Sequence, residues 1–168
     1  MNSQLVTLYL AGLVGSAGMD LISPMAERMG YRTGVTIALI GRWCRALFCG
    51  KLLHADIRLT PPHRHELLIG WLFHYLIGGG AVALLFAPWL WLSGATQLPT
   101  TPAPYLLFGL ATSALPWLIL MPSYGWGVFG RNAPPGSRPL IASPLNHLGY
   151  GIGVWLAVVA AHQFGIGN

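Results

Sequence analysis

Residues 67–92 read LLIGWLFHYLIGGGAVALLFAPWLWL, twenty-six positions whose only ionisable groups are His74 and the Tyr75 phenol. Crossing the hydrocarbon core of a bilayer takes about 20 mostly apolar residues in a helix. This stretch meets that length, and three others do as well: 5–22, 104–121 and 144–164. The rest of the composition agrees. Of 168 residues, 9 are Lys or Arg and 4 are Asp or Glu, so 8% carry a full charge, against roughly 25% in soluble domains. A chain this poor in charge cannot cover a water-facing surface. That excludes a nucleic-acid binder, a disordered regulator and an ordinary cytosolic enzyme, although the net charge is +5. The reading is an all-α integral membrane protein, a four-helix bundle forming a single domain over 1–168.

The cations set the expected orientation. Arg28, Arg32, Arg42, Arg45, Lys51, Arg58 and Arg64 lie between the first two spans, and Arg131 and Arg138 between the last two. Lys and Arg collect on the cytoplasmic side of a membrane, so both basic loops are expected inside and both termini outside, in a bacterial inner membrane. Trp89, Trp91 and Tyr105 flank the outer loop, and Tyr31, Trp43, Tyr124, Trp126 and Tyr150 sit near the inner face, as aromatic belts do. The first apolar run has no cation before it, so it reads as a retained helix rather than a signal peptide.

The 23–65 segment is too long for a bare connection. Ser23-Pro24 reads as a helix start, with a capping hydroxyl before a proline, and Gly30 as its stop. Residues 35–53 form a second helical stretch. Arg42, Arg45 and Lys51 make spanning costly there, so it reads as an interfacial or re-entrant segment on the cytoplasmic face.

Close helix packing in lipid relies on small residues at four-residue spacing. Gly12-Ser16-Asp20, Glu66-Gly70-His74-Gly78 and Gly149-Gly153-Ala157-Ala161 are such stripes, with His147-Gly151 on a nearby face. Pro116 inside the third span predicts a kink and releases the Thr112 carbonyl.

Counting depth from Trp91, His74 falls just inside the inner boundary, level with Asp20, Met121 and His147 from three other spans. His54, Glu66, Arg42 and Arg45 lie just below. Ionisable groups within spans are rare and turn toward protein or water. The candidate functional cluster is therefore Asp20, Arg42, Arg45, His54, Glu66, His74 and His147. The outer half offers only His162. Each member also has a structural reading: Asp20 paired with Arg42 or Arg45, His74 packed against a carbonyl, His147 at the interface. His63 and His65, beside Arg64 in a basic loop, read as solvated or headgroup-facing. Cys44 and Cys49 form no CxxC pair and read as small apolar residues. HExxH, G-x-S-x-G, phosphate-loop and dinucleotide patterns are absent, and no histidine-rich box occurs.

Met19-Asp20, Gly41-Arg42-Trp43, His54, Glu66, Gly70-Trp71-x-x-His74-Tyr75, the 116–122 stretch, Gly125-x-Gly127 and His147 together resemble a family of small bacterial inner-membrane proteins known as domain of unknown function 2938. The likeness covers nearly the whole chain. The family pattern places a glutamine between the residues that here are Met121 and Pro122 in direct sequence. The resemblance implies a four-span membrane protein and carries no activity.

Three classes of function compete. A non-catalytic membrane subunit or lipid-interacting protein would use the cluster as an ion-pair network. A small transporter would couple to protons through Asp20 or His74, in one protomer or in a homo-oligomer. A membrane metalloenzyme would bind zinc, iron or manganese through Asp20, His54, Glu66, His74 and His147, with Arg42 or Arg45 holding an anionic substrate. Haem ligation by His74 and His147 is a remote fourth. Membrane lipid is the expected partner, alone or with a partner membrane protein.

Overall fold

The computed structural model describes residues 2–165. The described residues are helical, with no strand. Four helices are long and apolar enough to cross a membrane: α1 (Ser3–Arg28, within a helix that begins at Asn2), α3 (Glu66–Leu92), α4 (Ala103–Ser123) and α5 (Pro139–Gln163). Between the first two lies α2 (Ile37–Phe48), whose 12 residues reach about 18 Å. That is too short to span.

Two boundaries differ from the sequence reading, and both involve proline. Residues Ser23-Pro24 do not start a new helix; α1 runs through Pro24 to Arg28, and Gly30, at φ +85°, follows its end. A proline removes one backbone bond, which packed neighbours tolerate in a membrane helix. Here Ala26 is buried beyond the proline, and Tyr31 N–H closes the end by donating to Ala26 O. The last span likewise begins at Pro139, not near residue 144; Pro144 is internal. The helix start is Pro139, whose ring suits the first turn.

The helices pack antiparallel through bare backbone. A Cβ at Gly12 would strike the Gly79 carbonyl, one at Gly18 the Gly149 carbonyl, and one at Gly153 the backbone at Val14 and Gly15. On the far side of α5, Gly109 meets His147 O and Gly151 meets Tyr105. The first and last small-residue stripes thus face their partners as expected. The stripe on α3 does not hold. Gly79 replaces Gly78 at the contact, and Gly78 meets no other helix. The reason is a π-helical stretch over Phe73–Ala81. Its i→i+5 bonds widen the turn, so the position facing α1 after His74 comes five residues later.

Pro116 also sits at a π-helical stretch, Pro116–Leu120. The expected disturbance at this proline is a locally widened turn.

Two apolar clusters stack along the bundle. One, toward the N-terminus of α1, joins Leu8, Phe86, Leu90, Tyr105, Tyr150, Val154 and Val158, with Phe86 and Tyr105 stacked at 4.8 Å. The other, at the end that carries α2, joins Trp43 and Cys44 of α2 to Ile57, Met121, Tyr124 and Trp126. Thr36 caps α2 by accepting from Leu39 N–H, and Gly41 and Gly70 let α2 lie directly on the base of α3. Only 22–39% of each span is buried by the protein itself. Leu10, Leu76, Leu107, Leu118 and Leu156 remain exposed. Such an apolar exterior requires lipid around it.

Candidate functional site

Asp20 lies eight residues before Arg28, His74 eight after Glu66, and His147 eight after Pro139. At 1.5 Å per residue each is about 12 Å from the end of its helix nearest α2. The three residues form one layer, set deeper than the sequence places Asp20, because α1 continues past residue 22.

Within this layer the polar side chains bond across helices. Asp20 accepts from His74 Nε2 at 3.0 Å and from the Tyr75 hydroxyl at 2.8 Å. The Ser16 hydroxyl donates to His74 O at 3.1 Å, fixing the backbone that carries the imidazole. The Trp71 and Tyr75 rings stand edge-on or tilted around His74. His147 Nδ1 pairs with the Thr112 hydroxyl at 2.8 Å, and that hydroxyl also donates to Gly109 O at 2.6 Å. With the single hydroxyl proton committed to Gly109 O, His147 donates from Nδ1–H to the Thr112 oxygen. Asn146 Nδ2 reaches Ser23 Oγ at 3.5 Å, and the Tyr150 hydroxyl donates to Gly79 O at 2.7 Å. The Asp20 side chain keeps 31% of its surface open.

A second layer lies at the basic end of the bundle. Arg42 forms a two-pronged pair with Glu66, Nε to Oε2 at 3.0 Å and Nη2 to Oε1 at 3.1 Å, and Nη1 donates to Thr60 O. Both side chains are largely buried. Glu66 also accepts from His63 N–H, while Arg45 donates to His63 Nε2 at 2.7 Å. Desolvation and the adjacent Arg45 charge lower the His63 pKa from its ordinary value, which suits an acceptor imidazole. Asp56 is clasped by Arg58 and accepts from Trp126 Nε1 at 3.4 Å. The Arg58 hydrogen bonds hold its carboxyl down at about 2.

His54 belongs to neither group. Its Nδ1 and backbone N–H both meet Ser123 O, pinning the 50–56 segment to the end of α4. Its Nε2 and the Tyr124 hydroxyl are buried with no partner. Cys44 lies in the same apolar cluster, where burial pushes its thiol up to about 11. It is an inert thiol.

The seven candidates are thus near one end of the bundle but not in one site. Asp20 does not pair with Arg42 or Arg45; those arginines turn to Glu66 and His63. The metal-ligand expectation for Asp20, His54, Glu66, His74 and His147 finds no support in the geometry. Among the described residues, no three His, Cys, Asp or Glu side chains are placed to hold an ion. Sequence reasoning missed Tyr75, Thr112, Ser16 and the Asp56–Arg58–Trp126 bridge. Two signals existed: Tyr75 adjoins His74, and Asp56 is one of only four carboxylates.

No curated protein and no solved structure matches the chain. A family model described as a protein of unknown function, DUF2938, matches residues 9–161, and the chain belongs to that family.

Proposed function

We propose that the protein is a non-catalytic, multi-pass membrane protein that engages anionic phospholipid at its basic end. One observation carries this reading. All nine cations lie at one end of the bundle, and only Arg42 and Arg58 have a carboxylate partner among the described residues. The other seven are exposed, interleaved with exposed Met29, Phe48, Leu53 and Leu59. Cations beside an apolar girdle attract anionic headgroups by about 1 kcal/mol each near the surface. The same asymmetry supports a cytoplasmic orientation for this end.

Spin-labelled lipids in reconstituted bilayers test the first point. Phosphatidylglycerol should be immobilised on the protein in preference to phosphatidylcholine, and about 1 M salt, with a screening length of about 3 Å, should erase the preference. Equal association of the two lipids at low salt overturns the reading. Orientation is tested with Cys49, which is exposed at the basic end. In intact cells a membrane-impermeant thiol reagent should spare Cys49 and label a Gln97→Cys variant; the reverse pattern would turn the protein over.

A second reading, a proton-coupled carrier, is favoured by the partly open Asp20 carboxylate between an imidazole and a phenol inside the span. It requires that pH-gradient decay in proteoliposomes slow for Asp20→Asn. Identical decay in wild type, variant and empty vesicles removes it.

A further inference from the structure

After α4 ends at Ser123, the chain makes a tight turn at Val128–Gly130 and re-enters as α5 at Pro139. Between the turn and the first residues of α5 is an open groove of about 670 Å³, within the roughly 300–1,000 Å³ range of small-molecule sites. Phe129, Leu140 and Ile141 supply apolar walls, and Arg131, Ser137 and Arg138 supply the polar rim. No acidic residue lines it.

Two details separate this groove from an ordinary surface dent. Phe129 sits at φ +60°, ψ 14°, the left-handed region that a bulky residue rarely occupies. It is the only non-glycine there among the described residues. Its neighbour Gly130 takes φ +69°, where a Cβ would press on Pro139 and the Met121 sulfur. The strained turn holds the Phe129 ring edge-on to Trp117 at 5.6 Å, and Trp117 Nε1 donates to Pro139 O at 3.1 Å. Strain of this kind persists where a fixed side-chain position is needed. Second, Arg138 lies over the Tyr31 ring at 5.9 Å, and its backbone N–H donates to Arg32 O. The guanidinium is positioned by an aromatic face while its donors face no carboxylate. Arg131 also lacks a carboxylate partner among the described residues.

We propose that this groove holds one anionic glycerophospholipid, its phosphate on Arg131 and Arg138 and an acyl chain along Phe129, Leu140 and Ile141. The proposal rests on the lipid-engaging reading above and narrows it to a site. Arginine donors in a planar fork match phosphate oxygens. The groove lies at the helix ends, where a bilayer around the four spans would carry its headgroups, which would set the apolar walls at acyl depth and the arginines at phosphate depth.

Native mass spectrometry of the full chain in detergent, titrated with phosphatidylglycerol, phosphatidylcholine or inorganic phosphate, tests it. One phosphatidylglycerol should bind more tightly than the rest. Arg131→Gln with Arg138→Gln should weaken that first binding by about tenfold, and Lys51→Gln with Arg64→Gln, an equal charge change, by much less. Phe129→Gly separates a lipid contact from a structural one. It relaxes the backbone, so lipid-free melting should hold or rise while first-lipid affinity falls. Equal loss in both charge pairs overturns the groove and leaves the basic face standing. No preference for phosphatidylglycerol over phosphatidylcholine overturns both. Displacement of the lipid by millimolar inorganic phosphate, or unchanged affinity in Phe129→Gly, also overturns the site.

Discussion

Two polar regions about 12 Å apart treat the same kinds of side chain in opposite ways. In the layer of Asp20, His74 and His147, each of these side chains has a partner on another helix. At the basic end, seven of nine cations have no carboxylate partner among the described residues. Hydrocarbon supplies no hydrogen bonds, so the Asp20 layer has to satisfy itself. The basic end is open to solvent. Two cations there are paired: Arg42, largely shielded, is answered on two prongs by Glu66 from another helix, while exposed Arg58 clasps Asp56 two residues away. Away from water a cation is met by a carboxylate from another element; in the open, the one pair is between chain neighbours.

The largest effect should come from the Arg42–Glu66 pair. Glu66→Ala leaves a largely shielded guanidinium uncompensated and should cost about 3 kcal/mol, the low end for a buried pair, read as loss of thermal stability in detergent. Joining it to Arg42→Met should recover much of the loss. If Glu66→Ala costs no more than an exposed-cation variant such as Arg64→Ala, the contrast between buried and open cations collapses. Next is Gly79→Leu, which forces α1 and α3 apart and should cost about 1–3 kcal/mol. Gly78→Leu, one residue away and facing no other helix, should cost far less; equal costs would refute the shifted register. Asp20→Asn keeps its shape and part of its bonding, so about 1 kcal/mol is expected, with no change in preference for anionic lipid at the basic end. The smallest effect concerns acid. Because Arg58 holds the Asp56 carboxyl at about 2 from an ordinary 3.8, its contribution is complete above the ordinary value and fades as pH falls from there toward 2. Asp56→Asn should remove that acid-limb component of the melting curve and leave neutral pH little changed.

The architecture was legible because apolar length is a blunt signal: each of the four spans is recoverable from composition alone. The ends at Pro24 and Pro144 were not. A proline after a serine resembles a helix start, and what carries α1 onward is burial of Ala26 and the backbone bond from Tyr31, both tertiary. The candidate residues lay near the right end of the molecule, but their pairings did not follow. Which carboxylate meets which cation depends on the rotation of each helix about its axis. In α3 that rotation changes midway, at the Phe73–Ala81 stretch. The cations of the two basic loops could be counted from sequence, whereas the strained phenylalanine near Arg131 has no sequence signature beyond its glycine neighbours.

The widened turn in α3 has a consequence for how this bundle can vary. It acts as a phase adjuster, letting His74 and Tyr75 address Asp20 while Gly79 and Gly80 fit under α1 at Gly12 and Tyr9. A uniform 3.6-residue spiral could not satisfy both appointments with this spacing. Deleting one residue between them would leave each half intact and rotate it out of step with the other. The two ends of the bundle are therefore coupled through the count of residues in one segment as well as through the chemistry at either end.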